Sequence, residues 1–177
     1  MGLELGSLFR QLGSKVTLIC GPEIKCPKDV RARSIVSAQD LLNAVKREFP
    51  KTDIFISAAA VSDWRPKKIN KKKLSKGSQK LLLELVPNPD ILARVAGDKK
   101  KQFCVGFALE NFLDFRIAKK KMSEKNCNLM ILNTISSMGG EWMKAAILFK
   151  NGEIWKLGRL KKKDCAKKIC QAILISQ

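Results

Sequence analysis

A chain of 177 residues with 45% hydrophobic content has room for one domain with a real core, and such a composition excludes a disordered protein. No apolar run approaches the roughly 18 residues that span a bilayer. The opening Met1-Gly2-Leu3-Glu4-Leu5-Gly6 carries no basic or apolar region of a signal peptide, so the expected location is the cytoplasm. Gly6 also stands where a myristoylation motif needs Ser or Thr. Thirty-five basic against sixteen acidic residues give a net charge of +19, for which nucleic acid is the competing explanation. The lysines are dispersed, however, in bursts at 67–73, 99–101, 119–121 and 161–163. With 6% aromatic residues and no tyrosine, few stacking platforms exist, which argues against nucleic acid. There is no histidine, which excludes Ser-His-Asp and Cys-His nucleophiles, and six cysteines without a CxxC pair do not make a zinc site. Chemistry must come from lysines, carboxylates, amides and backbone donors.

Leu5, Leu8, Phe9 and Leu12 recur at helical spacing, with Gly13 as the stop. Gly2 and Gly6, four apart, predict close approach to a neighbouring backbone. Lys15 to Cys20 reads as a strand leaving through Gly21-Pro22, and Val30 to Val36 as a second. Ser37 with Asp40 resembles a capping box opening a helix that buries Leu41, Leu42, Val45 and Phe49. Ile54-Phe55-Ile56 is a continuous apolar run, the mark of a strand buried on both faces. Between Trp64 and Gln79 the chain turns strongly basic, and Leu81 to Val86 returns as a strand.

Asn88-Pro89-Asp90 reads as a helix start with Asn88 as N-cap and Pro89 at the first helical position. Phe103 to Ala108 is a further buried strand, Leu113 to Lys125 a helix, and Leu129 to Leu132 the next strand. Residues 145–149 and 153–157 flank Asn151-Gly152, a type I′ hairpin signal. Lys162 to Ser176 is a last amphipathic helix with Ala166, Ile169, Cys170, Ile173 and Leu174 inward. Cys20 and Cys104 fall in strand-like runs, where cysteine acts as a small buried hydrophobe. These alternating elements predict one α/β, Rossmann-like domain over 1–177, with a basic arm at about 64–80. Its sheet is mostly parallel, with helices on both faces and an antiparallel edge hairpin.

Small residues and a carboxylate follow the Ile54–Ile56 run: Ser57-Ala58-Ala59-Ala60-Val61-Ser62-Asp63, then Trp64-Arg65-Pro66. Ligands of open α/β sheets sit beyond the carboxyl ends of strands, so this is where one is expected. Ala59 to Pro66 resembles the AAV(A/S)D(Y/F/W)RP signature of phosphopantothenate–cysteine ligase. Three further matches follow in order: Val86-Pro87-Asn88-Pro89-Asp90-Ile91, Val105-Gly106-Phe107-Ala108-Leu109-Glu110, and Lys121 with Lys125-Asn126.

The resemblance implies a synthetase of coenzyme A biosynthesis that joins 4′-phosphopantothenate to L-cysteine through an acyl-cytidylate made from CTP, with Mg²⁺ bridging phosphate oxygens. It implies a nucleotide site built from Ser57, Ala58, Ala59 and Asp63, from Val86, Pro87, Asn88 and Pro89, from Phe107 against the base, and from Lys121 and Lys125 on the triphosphate. No protein metal ligands are expected. Lys73-Leu74-Ser75-Lys76 aligns with the family's KxKK motif, Ser75 replacing its middle lysine, and makes Lys73 the catalytic candidate, with Lys71 and Lys76 as alternatives of register. The same arm, 64–86, is expected to form a homodimer. The resemblance assigns any flavin to a decarboxylase, a domain not seen in these residues, and leaves open whether that partner is fused to the ligase or encoded separately. ATP-using family members keep the nucleotide choice open.

The chain departs from the family at its start, beginning inside the segment that leads into the family's first helix. The expectation is that further sequence upstream supplies a strand, a Gly-rich turn and an asparagine that serves transfer to cysteine. A sheet lacking that strand should show a gap or an exposed edge. Residues 136–144, with Met138-Gly139-Gly140-Glu141-Trp142, replace the family's FGSD-like turn. A catalytically impaired nucleotide-binding relative, or a basic RNA-binding module, are the alternative readings.

Overall fold

A computed structural model describes residues 1–69, 72–73, 80–137 and 139–177. Helix α1 (Gly2–Gln11) ends at Leu12, and Gly13 beyond it takes the left-handed φ of 86° that a helix exit favours. Strands β1 (Thr17–Cys20) and β2 (Arg31–Ser34) pair in parallel. Helix α2 (Ala38–Glu48) opens on a reciprocal capping box. Asp40 N donates to Ser37 Oγ at 3.1 Å, and Ser37 N donates to Asp40 Oδ2 at 3.0 Å. The hydrogen bond from the Ser37 side chain holds the Asp40 carboxyl below its ordinary range. Leu41, Leu42, Val45 and Phe49 are buried, as their spacing predicts.

The remaining elements are β3 (Ile54–Ser57), β4 (Trp64–Pro66), β5 (Leu85–Pro87), α3 (Ile91–Gly97), β6 (Phe103–Glu110), α4 (Phe115–Glu124), β7 (Leu129–Thr134), β8 (Trp142–Phe149), β9 (Ile154–Lys161) and α5 (Lys162–Ile175). A five-stranded sheet runs in the order β3-β6-β7-β8-β9. Its first three strands are parallel, and β8 and β9 close it as an antiparallel hairpin. Side chains of β6 and β7 alternate between two cores. Val105, Leu129 and Ile131 join Leu5 and Phe9 of α1 and Ile169 and Ile173 of α5. Cys104, Met130 and Leu132 face Leu42 and Val45 of α2, Leu92 and Val95 of α3, and Met122 of α4. Each large side chain buried in this way contributes about 1.5–3 kcal/mol relative to exposure. The fold is the Rossmann-like α/β architecture expected, with helices on both faces of a mostly parallel sheet and an antiparallel edge.

Several local expectations are corrected. Ile54 to Ile56 are half-buried rather than enclosed, because β3 pairs with β6 alone among the described strands. Likewise β1 pairs only with β2. Gly6 accommodates a side chain rather than a backbone: a Cβ there would lie 2.9 Å from Leu18 Cδ2. Leu81 to Glu84 form no strand; only Leu85–Pro87 pairs, against β4, and Leu82 is 92% exposed. Leu174 is exposed, and Ala172 takes the inward place on α5.

The 149–154 turn is not type I′, which requires positive φ at both central residues. Only Gly152 is left-handed there, at φ 94°, with Gly152 N donating to Phe149 O at 3.0 Å. Asn151 instead accepts from Glu153 N through its side chain at 3.0 Å.

Candidate functional site

The site grows from the carboxyl ends of β3 and β6. Ser57 closes β3 in register with Gly106, which places Phe107 one residue further along the neighbouring strand. Phe107 is half-buried and packs against the α1/α5 core through the same strand that carries the buried Val105. Ser57 and Ala58 are half-buried, while Ala59 and the residues through Asp63 lie exposed. The chain therefore leaves the sheet as an open backbone segment with small side chains, which lets main-chain groups reach a ligand.

Asp63 and the Val86–Pro89 segment, far apart in sequence, meet across the β4–β5 pair. Trp64 opposes Pro87 and Arg65 opposes Val86. Asn88 N donates to Asp63 O at 2.7 Å, and Asn88 Nδ2 donates to Ser62 O at 2.8 Å. Arg65 Nη1 donates to Pro87 O at 2.5 Å and to Asn88 Oδ1 at 3.3 Å. Asn88 is thus a clamp between two loops and not the helix cap. The cap of α3 is Asp90, whose Oδ1 accepts from Ala93 N at 3.0 Å, so Pro89 precedes the helix rather than opening it. The Asp63 carboxylate is exposed and has no hydrogen bond or ion pair among the described residues.

Lys121 and Lys125 both reach back to carboxylates. Lys121 Nζ lies 2.6 Å from Glu110 Oε1 at the end of β6, and Lys125 Nζ lies 3.1 Å from Asp90 Oδ2. All four side chains keep contact with solvent, and ion pairs of that kind are worth only about 0–1 kcal/mol. An arriving polyanion can therefore take either lysine from its carboxylate at little cost. Asn126 follows in the left-handed region at φ 48° and donates to Ala96 O at 2.8 Å, tying the end of α4 to α3. Its role is to stop the helix.

At the arm, Lys67 Nζ pairs with Glu84 Oε1 at 2.6 Å and joins the two sides at their base. Lys73 is exposed. Lys71, Leu74, Ser75, Lys76 and Met138 lie outside the described residues, so the rival registers of the lysine motif do too.

The structure thus unites Ser57 with the Phe107 strand, Asp63 with Asn88, Lys121 with Glu110 and Lys125 with Asp90. Among the described residues no hydrogen bond or ion pair joins Lys73 to any of these. Sequence reasoning missed Arg65, Asp90 and Glu110 as working groups. Glu110 had a readable signal, a carboxylate at the end of a strand in an open sheet. Arg65 and Asp90 acquire their roles only through long-range pairing.

The family model for the C-terminal domain of DNA/pantothenate metabolism flavoproteins matches residues 1–176. The chain belongs to this family. It is 39% identical over 143 residues to the coenzyme A biosynthesis bifunctional protein CoaBC of Vibrio parahaemolyticus, covering 78% of this chain and 36% of that protein. A cysteine/cysteine sulfinic acid decarboxylase from an unknown prokaryotic organism is 33% identical over 181 residues, covering 98% of this chain and 50% of its own length. Among solved structures, the C-terminal domain of a CoaBC protein superposes with a TM-score of 0.83 at 31% identity, over 98% of this chain and 80% of that one. The chain thus spans half or less of the length of the curated relatives just named.

Lys121→Gln and Lys125→Gln are each expected to weaken nucleotide binding by about 10- to 100-fold, the worth of one hydrogen bond to a charged group. Both should leave the thermal transition nearly in place, because the ion pairs they remove are partly solvated. Calorimetric titration with CTP, beside thermal melts of the same samples, checks both halves.

Proposed function

We propose that this chain acts as a phosphopantothenate–cysteine ligase. What supports the reading is that segments bearing the family's motifs meet: Asn88 bonds the backbone of Asp63 and Ser62, Lys121 pairs with Glu110, and Lys125 pairs with Asp90 beside the Val86–Pro89 segment. The Asp63 carboxylate is exposed and has no partner among the described residues, and both lysines are held only by weak ion pairs. In the first half-reaction a carboxylate oxygen of 4′-phosphopantothenate attacks the α-phosphorus of CTP. The bond to the bridging oxygen breaks, giving the acyl-cytidylate and pyrophosphate. In the second, the amine of L-cysteine attacks the acyl carbon and loses a proton as CMP departs, leaving 4′-phosphopantothenoyl-L-cysteine.

Within this reading Ser57, Ala58 and Ala59 offer backbone groups to the nucleotide, and Phe107 supports the base. Lys121 and Lys125 exchange their carboxylates for phosphate oxygens. Lys73 neutralises charge that develops on the α-phosphate, the kind of electrostatic help on which phosphoryl chemistry chiefly depends. No group of three or more metal-binding side chains gathers among the described residues. Mg²⁺ typically keeps waters and phosphate oxygens as ligands, so in this reading it would ride on the triphosphate, and the exposed carboxylate of Asp63 would help to hold it. When bound, the ion would neutralise phosphate charge.

The reading includes a homodimer through the 64–86 arm. Trp64, Leu81, Leu82, Leu83 and Leu85 are all exposed there, an apolar band that a partner copy would cover. It also includes a cytoplasmic location. No described helix is long and apolar enough to cross a membrane.

The test is an assay with CTP, 4′-phosphopantothenate, Mg²⁺ and, separately, L-cysteine. Pyrophosphate release without cysteine and CMP release with it are expected. Failure of both in a folded protein, together with binding to random RNA that weakens steeply with salt and shows no CTP preference, would replace the ligase by an RNA-binding module. Asp63→Asn is expected to weaken CTP binding while leaving the melting temperature unchanged, since its side chain is exposed. A variant that melts early but binds CTP normally where folded would make Asp63 structural.

A further inference from the structure

The loop joining β1 to β2 brings two cysteines together. Cys20 is the last residue of β1, and its Sγ stands 3.0 Å from Sγ of Cys26. Two successive hydrogen-bonded turns shape this loop. Ile24 N donates to Gly21 O at 3.2 Å, and Val30 N donates to Pro27 O at 3.3 Å. Pro22 and Pro27 fix φ within the two turns. At the far end Arg10 Nε donates to Asp29 O at 3.2 Å, and Val30 is buried. The approach of the sulfurs is therefore built into an anchored loop. Both are half-buried and reachable, whereas Cys104, Cys127, Cys165 and Cys170 are buried.

We propose that Cys20 and Cys26 form a dithiol–disulfide pair that exchanges with small-molecule disulfides such as oxidised glutathione. The Cys26 sulfur, in the exposed loop, attacks one sulfur of the oxidant as a thiolate. It forms a mixed disulfide and expels one glutathione thiolate. The Cys20 sulfur gives its proton to solvent, attacks Cys26 Sγ and expels the second glutathione. The sum is one protein dithiol plus one glutathione disulfide giving one protein disulfide plus two glutathione thiols. Burial, and then the hydrogen bond with Cys26, push the Cys20 thiol up to about 11, in keeping with its acting second. Closing the chain between Cys20 and Cys26 constrains the unfolded state, so oxidation should raise the melting temperature by several degrees.

The experiment equilibrates the full chain over graded ratios of oxidised to reduced glutathione, followed by acid quenching, intact mass and tryptic mapping. Trypsin cuts after Lys15, Lys25 and Lys28, so residues 16–25 and 26–28 stay joined only through a Cys20–Cys26 disulfide. The expected product lacks two hydrogens, yields that joined pair and reverts with dithiothreitol. The four other cysteines take up alkylating reagent only after unfolding. Cys20→Ser should instead accumulate a glutathione adduct on Cys26. The proposal is overturned by any of three results: no oxidation at any ratio, earlier oxidation of another cysteine, or a wild-type protein that holds the mixed disulfide as stably as Cys20→Ser does.

Discussion

Lys73→Gln is expected to cut pyrophosphate release from CTP and 4′-phosphopantothenate by about 10²–10³-fold, the usual cost of removing one group that stabilises transition-state charge. The same variant should melt with the wild-type protein. Lys73 is exposed, and an exposed lysine contributes little to stability. Lys121 and Lys125 are tethered to Glu110 and Asp90 and suit a ground-state grip on phosphates. In the proposed reading Lys73 meets charge that develops only in the transition state, so its loss should lower kcat more than it raises KM for CTP. If pyrophosphate is released at the wild-type rate, the role passes to Lys71 or Lys76, and the same assay on those variants decides between them.

The two core faces were legible in the sequence. Phe103 to Ala108 of β6 and Leu129 to Leu132 of β7 are apolar without interruption, and runs of that kind belong to parallel strands covered on both sides. The capping box at Ser37 was legible because its partners sit three residues apart. What escaped was whatever depends on distant partners. Leu81 to Leu83 read as a strand because an apolar run does not say what will cover it, and here no described residue does. Ile54 to Ile56 read as enclosed, but among the described residues β3 has one strand neighbour, and all three side chains are half-buried. Asn88 looked like a cap because Asn-Pro precedes a helix; Asp90 outcompetes it, and Ser62 and Arg65 claim its amide. The four-residue spacing of Lys121 and Lys125 was legible, whereas the two acids that hold them were not.

Gly106→Val is expected to lower stability by about 3 kcal/mol, the upper part of the range for overpacking a core. For a domain of this length that is a fall of about 6–12 °C in melting temperature. The reason is space and not backbone freedom, since Gly106 does not adopt a left-handed φ. A Cβ there would stand 2.9 Å from Leu92 Cδ2, 2.9 Å from Met130 Cε and 3.1 Å from Cys127 Sγ, and all three neighbours are buried. Alanine asks only for the ends of Leu92 and Met130 to shift, so Gly106→Ala should cost about 1 kcal/mol. Valine adds two methyl groups where α3, β7 and the loop before β7 already close on β6, and no single rotamer change clears them all. The same push bears on function, because Gly106 is in register with Ser57 and adjoins Phe107. Moving β6 away from α3 therefore displaces both sides of the strand ends where the nucleotide is proposed to sit. Denaturation of the alanine and valine variants, with CTP titrations on the folded fraction, should show stability and affinity falling in the same order. A valine variant that melts with the wild-type protein would mean that this part of the core is looser than its contacts indicate.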